Sequence, residues 1–145
     1  MAKYPKFAAM IVTSTIVMFG LMYLNTYALG HVFFSETRAY MALLMGATMA
    51  AFMLGMYPNK SVNAAIFAAA VAVFAGSLWL VRSQATVDQV SWMKAMIPHH
   101  SIAILTSERA HMSDPRVRAL ADGIIKAQRK EIEEMKVLIR DLERK

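Results

Sequence analysis

The sequence predicts an all-α membrane protein: three transmembrane helices, then an antiparallel helical hairpin that forms a four-helix bundle by oligomerisation. Three observations predict it. Of the 145 residues, 57% are hydrophobic. The 16 basic and 10 acidic side chains are segregated, and residues 1–81 hold only Lys3, Lys6, Glu36, Arg38 and Lys60. The charge-rich remainder carries apolar residues at alternating steps of three and four, the period of an amphipathic helix. Such a split excludes a single soluble globule as the simplest reading. It divides the chain into a membrane region, residues 1–82, and an extramembrane hairpin, residues 86–145.

The first apolar stretch runs from about Phe7 to Leu29, the second from about Tyr40 to Tyr57 and the third from about Val62 to Val81. None contains an internal charge, and each is long enough at about 1.5 Å per residue to cross a hydrocarbon core of about 30 Å. Backbone groups in lipid must be satisfied internally, so each is read as a helix. The first exceeds the usual apolar core of a cleaved signal and is read as retained. Lys3, Lys6 and Lys60 fall on one side of the three spans, which the positive-inside rule places in the cytoplasm. The hairpin then lies outside, in the periplasm of a bacterial inner membrane.

Absent cysteine excludes a disulfide framework and thiolate metal sites. The net charge of +6 does not point to nucleic acid, because the cations interleave with acids along the C-terminal helices. Spans without charge argue against a proton-coupled transporter or pump. Thirteen methionines are a clear excess. In span two, Met41, Met45, Met49 and Met53 recur every fourth residue, followed by Met56; span one carries Met10, Met18 and Met22. These fit flexible packing between helices. A thioether track for a soft ion is the sharper alternative.

In the appendage, Thr86 with Gln89 reads as a capping box that opens a helix over about 87–112. Asp114-Pro115 reads as N-cap and first residue of a second helix, about 115–142. The short link makes the two antiparallel. The first seam is Val90, Met93, Ile97, His100, Ile104, Ser107 and His111. The second is Val117, Ala121, Ile124, Gln128, Glu131, Met135, Leu138 and Leu142. Ile125, Ile132 and Ile139 form an additional stripe, expected to meet another copy or the membrane half. Folding about the turn places Met93 opposite Met135, Ile97 opposite Glu131, and His100 opposite Gln128.

Chemistry concentrates at Met93-Lys-Ala-Met-Ile-Pro-His-His100. Met96 is three residues from His99 and four from His100, both spacings that bring side chains together. Pro98 is expected to kink the helix ahead of the histidines. Met93, Met96, His99, His100 and Met135 are the candidate metal ligands. Gln128 and Glu131 are candidate outer partners that fix an imidazole by hydrogen bonding. Thioether with imidazole suits copper, as Cu(I) or Cu(II). The bland alternative is a polar network that only sets helix register. A rival motif, Glu108-Arg-Ala-His111, has the Glu-x-x-His spacing of di-iron bundles, but no second glutamate lies at its height.

At these residues the chain resembles the domain-of-unknown-function 305 family, one of the ferritin-like helical groups. The resemblance covers about Val90 to Leu142. It rests on Met96-Ile-Pro-His-His-Ser-Ile-Ala-Ile104, on Asp114-Pro-Arg-Val-Arg-Ala-Leu-Ala121, and on Ile124-Ile-Lys-Ala-Gln128 with Glu131, Ile132 and Met135. It implies hairpins that pair into a four-helix arrangement and periplasmic copper binding through Met and His. The matching positions are Met96, His99, His100, Gln128, Glu131 and Met135. Thr106 departs, standing where many members carry Met. The resulting expectation is a non-enzymatic, homo-oligomeric membrane protein with lipid and copper ions as partners, serving copper storage, buffering or delivery. A structural or oligomerisation protein without metal, and a ferritin-like redox enzyme built on Glu108 and His111, are the alternatives.

Overall fold

The computed structural model describes residues 3–144. Among them there are five α-helices and no strand: α1 (Lys3–Leu21), α2 (Glu36–Met53), α3 (Lys60–Ser83), α4 (Gln89–Arg109) and α5 (Pro115–Glu143). Short 3₁₀ turns cover Leu29–His31 and Leu54–Met56. The chain divides into two compact units. The first is Met1–Met22 with Thr37–Thr86; the second is Tyr23–Glu36 with Val87–Lys145.

The first unit contains three helices long and apolar enough to cross a membrane. Its buried residues are mostly small. Ala47, Ala50 and Ala70 pack with Phe7 and Leu54, flanked by Ile11, Tyr57 and Ile66. Gly46 permits close approach of α1 and α2: a methyl group there would overlap the Thr15 hydroxyl. Most large side chains point outward, among them Ile16 at 66% and Trp79 at 62% exposure. An apolar surface of that extent on a folded unit calls for lipid or a partner.

Polar residues fasten the ends of this unit. Asn63 Nδ2 donates to the Leu54 and Tyr57 carbonyls at 3.0 and 2.8 Å. Its Oδ1 accepts from the Tyr4 hydroxyl at 2.9 Å, and that hydroxyl accepts from Asn59 N–H at 3.1 Å. Asn59 also caps α3 by accepting from Val62 N–H at 3.1 Å. Gln84 closes α3 in the left-handed region, with φ of 53°. Its side chain returns to the Val81 carbonyl at 2.8 Å, which satisfies a terminal acceptor.

In the second unit α4 and α5 share one core: Met93, Ile97, Ile104, Ile132, Met135 and Ile139, with Val90, Met96, Ile125 and Leu142 against it. Cross-helix bonds link early residues of α4 to late ones of α5. Lys94 pairs with Glu143, and Glu108 pairs with Arg129. Arg118 Nη1 donates to the Ser107 carbonyl at 3.0 Å.

Three expectations change. The cap of α4 is Asp88, which accepts from Ser91 N–H at 2.7 Å, whereas the Thr86 hydroxyl bonds the Tyr40 hydroxyl. The α5 seam is rotated by one position. Ala121, Ile132, Met135 and Ile139 are buried, while Val117, Ile124 and Leu138 are exposed. The seam follows Ala121, Ile125, Gln128, Ile132, Met135, Ile139 and Leu142, also a strict 3–4 repeat, and it buries Ile132 and Ile139, with Ile125 partly buried, in the core shared with α4. Lastly, α1 ends at Leu21, and residues 23–36 fold with the second unit, where Phe33 packs against the core.

Candidate functional site

The candidate ligands lie on two helices whose start signals are local. Asp114 caps α5 by accepting from Arg116 N–H at 2.8 Å, and Pro115 occupies the first turn. The Arg116 side chain, then its backbone N–H, hold the Asp114 carboxyl below its ordinary value. Pro98 sits buried inside α4, which continues from Gln89 to Arg109 through it.

The structure sorts the five candidate ligands into three environments. Met93 and Met135 are buried in the shared core at 5% and 7% exposure, with Met96 packed at its edge. His100 is half-buried, and its ring meets both helices. Its Nδ1 lies 2.9 Å from the Met96 carbonyl and its Nε2 lies 2.8 Å from Glu131 Oε2. His99 is exposed on a different face, its ring centroid 6.2 Å from that of His100. Thus Met93 and Met135 share the core with Met96 at its edge, His100 meets the exposed Glu131 across the two helices, and His99 does not join them. The residue that meets the His100 ring is Glu131 rather than Gln128; Gln128 is half-buried on α5.

Both partners of the His100 ring are acceptor oxygens, and the contact with Glu131 is a hydrogen bond when Nε2 carries the ring proton. A metal at Nε2 would take the place of that proton and retain Glu131 as an oxygen donor. Among the described residues no group of three or more His, Cys, Asp or Glu gathers into a metal site. Any centre here therefore depends on thioether sulfur. A donor set of thioethers with one imidazole and one carboxylate would fit copper better than zinc, calcium or magnesium.

The rival Glu-x-x-His motif is differently placed. Glu108 is paired with Arg129. His111 lies beyond the end of α4 at Arg109 and is exposed, so helical spacing does not align it with Glu108. Thr106 donates to the Ile102 carbonyl at 2.9 Å.

Residues 23–36 bring a cluster that the motifs did not indicate. Ser101 is fully buried, and its Oγ accepts from Tyr27 N–H at 2.7 Å and lies 2.9 Å from His31 Nδ1. Ser91 donates to Glu36 Oε1 at 2.8 Å. The Arg129 guanidinium lies 5.6 Å from the Tyr27 ring centroid, over its face. Burial, and then the nearby Lys136 charge, push His31 below its ordinary value, with Glu133 opposing. The available signal was composition: Tyr23, Leu24, Tyr27, Leu29, Val32, Phe33 and Phe34 are too many apolar residues for a solvated link.

An uncharacterized protein of Acanthamoeba polyphaga mimivirus is 39% identical over 64 residues, which is 43% of this chain. The match spans 42% of that relative's length. No solved structure matches the chain. The expected resemblance over Val90 to Leu142 falls inside the segment with a family match: residues 81–145 match the family described as Domain of unknown function (DUF305).

Proposed function

We propose that the chain is a bacterial inner-membrane protein with a cytoplasmic N-terminus, whose α4–α5 pair is a periplasmic hairpin that binds copper ions for storage, buffering or delivery. It is a binding protein and not an enzyme. The observation that carries this reading is the 2.8 Å contact of His100 Nε2 with Glu131 Oε2 between the two helices. Met96 lies four residues before His100, and Met135 four residues after Glu131. One cross-helix pair therefore sets two thioethers in adjoining turns. His100, Met96 and Met135 would hold the ion, with Met93 behind them and Glu131 as oxygen donor or hydrogen-bond partner. His99, on the exposed face, serves as an entry ligand. Copper is cargo here, exchanged with a donor or acceptor.

Titration of the purified full chain with Cu(I) against a competing chelator, and separately with Cu(II), tests this. His100→Ala and Met96→Leu are expected to weaken binding at least about tenfold, a loss of about 1.4 kcal/mol. Equal binding by wild type and both variants removes the site. Protons compete with metal for imidazole nitrogen, so affinity is expected to fall on acidification from about pH 8 to about pH 5.

One observation favours a second reading, in which the cluster is structural: both ring nitrogens of His100 already have protein partners. There the His100–Glu131 pair sets helix register, and the exposed stripe of Val117, Leu120, Ile124 and Leu138 meets a second copy. This reading expects an oligomer in detergent that is indifferent to chelators. It also expects Glu131→Gln to destabilise the metal-free protein by about 0.5–1 kcal/mol, a modest value because Glu131 is half exposed.

A further inference from the structure

The first unit carries an apolar groove of about 700 Å³ along α1, α2 and α3. Ile11, Thr15, Ala47, Ala50, Ala69 and Val73 are among the residues that line it, and its surface is almost wholly carbon. On α1 the lining runs from Tyr4 to Ile16. At about 1.5 Å per residue that is about 18 Å, close to half of a hydrocarbon core of about 30 Å. The groove therefore has the depth of a single leaflet.

One end of it is strongly cationic. The Tyr4 hydroxyl bonds Asn59 and Asn63, so the first turns of α1 and α3 lie side by side. Lys3 and Lys6 on α1 and Lys60 on α3 are exposed at that end. The first unit contains no Asp or Glu anywhere in its sequence, so these ammonium groups have no carboxylate within it. A charged cluster with no carboxylate in its own unit, beside an apolar groove one leaflet deep, is complementary to a molecule with an anionic head and a hydrocarbon tail.

From this juxtaposition we infer that the groove is a binding site for one anionic phospholipid, its phosphate held by Lys3, Lys6 and Lys60 and an acyl chain lying between α1, α2 and α3. The inference rests on reading the three helices as membrane spans and is independent of copper. A zwitterionic lipid such as phosphatidylcholine also offers a phosphate, but its quaternary ammonium offsets that charge and is repelled by the lysines. A second copy of the chain brings the same lysines and no acid from its own first unit, so like charges would meet at that end.

The test is native mass spectrometry of the full chain, purified in nonionic detergent and offered phosphatidylglycerol or phosphatidylcholine with identical acyl chains. One phosphatidylglycerol is expected to be retained, with about tenfold preference over phosphatidylcholine. The combined variant Lys3→Gln/Lys6→Gln/Lys60→Gln is expected to lower retention to the phosphatidylcholine level. Ala69→Phe, at an exposed position on the groove wall, is expected to abolish retention of both lipids. Should Ala69→Phe lose helix content, Ala8→Leu on the opposite wall repeats the measurement. A chain that needs detergent yet retains both lipids equally overturns the site alone. A chain that is soluble without detergent and takes up neither lipid overturns the membrane reading and the site with it. Loss of a dimer in Ala69→Phe with lipid retention unchanged assigns the groove to a second copy instead.

Discussion

His31 shows how one half-buried side chain can make an attachment sensitive to pH. Its Nδ1 sits 2.9 Å from Ser101 Oγ, and burial followed by the Lys136 charge lowers its affinity for a proton. In the detached segment His31 returns to its ordinary value, 6.5. Between the lowered value and 6.5, the detached form therefore binds more protons than the attached one. By linkage, attachment is complete above that window and weakens as pH falls through it. Hydrogen exchange at the Tyr27 amide, corrected for intrinsic rate, is expected to show protection that falls from about pH 7 to about pH 5. His31→Gln keeps an acceptor for the Ser101 hydroxyl and removes the titration, so its profile is expected to be flat over that range. Gly46 makes a second case, decided by magnitudes. Gly46→Val places a side chain into the Thr15 hydroxyl. Overpacking costs about 1–3 kcal/mol, against about 1 kcal/mol at most from better helix propensity. A lowered melting temperature in detergent is expected, with partial recovery when Thr15→Ala is added.

At the scale of elements, the α5 seam separates what periodicity fixes from what it leaves open. Val117, Ile124 and Leu138 make one heptad stripe, and Ile125, Ile132 and Ile139 make another beside it. Spacing alone does not choose between adjacent stripes. The choice falls to the contacts of α4 and to Phe33, whose segment closes the same core. Helix number and type, the Asp114-Pro115 start and the placement of Met93 with Met135 were all legible, because each rests on local signals or on long strict repeats. The α4 cap was misplaced by two residues, since Thr86 and Asp88 both carry capping oxygens and only packing shows that Thr86 is taken by Tyr40. Of the candidate site, a polar interruption of the seam at His100 was legible, but its expected partner was Gln128, whereas the ring meets Glu131. The rotated seam makes a quantitative prediction. Ile132→Ala and Ile97→Ala, at 1% and 0% exposure, are expected to cost about 2–5 kcal/mol each. Leu138→Ala, at 52% exposure, is expected to stay within about 0.5 kcal/mol in the isolated protomer. Urea melts of the three variants check both values; a large loss at Leu138 would restore the unrotated seam.

Across the whole molecule, the path of the chain matters more than its order of helices. The polypeptide leaves the first unit after Met22, returns at Thr37 and leaves again after Thr86. The second unit is therefore built from two distant stretches, joined where Tyr27 and His31 meet Ser101 and where Glu36 meets Ser91. Those contacts span 55 to 74 residues of sequence. Loop closure across that separation opposes these contacts, so they must be strong enough to offset its entropy. Ser101 is the joint, because its buried hydroxyl serves both Tyr27 N–H and His31. Ser101→Ala leaves the Tyr27 N–H without its acceptor, at a cost of about 1–3 kcal/mol. The α4–α5 core, which Ser101 does not anchor, is expected to remain folded. Limited proteolysis of the full chain should then cut Ser101→Ala within residues 23–36 faster than wild type, while fragments of α4 and α5 persist at the wild-type rate. Equal cutting of both proteins in that segment would show that Phe33, packed on the core, holds it without the serine.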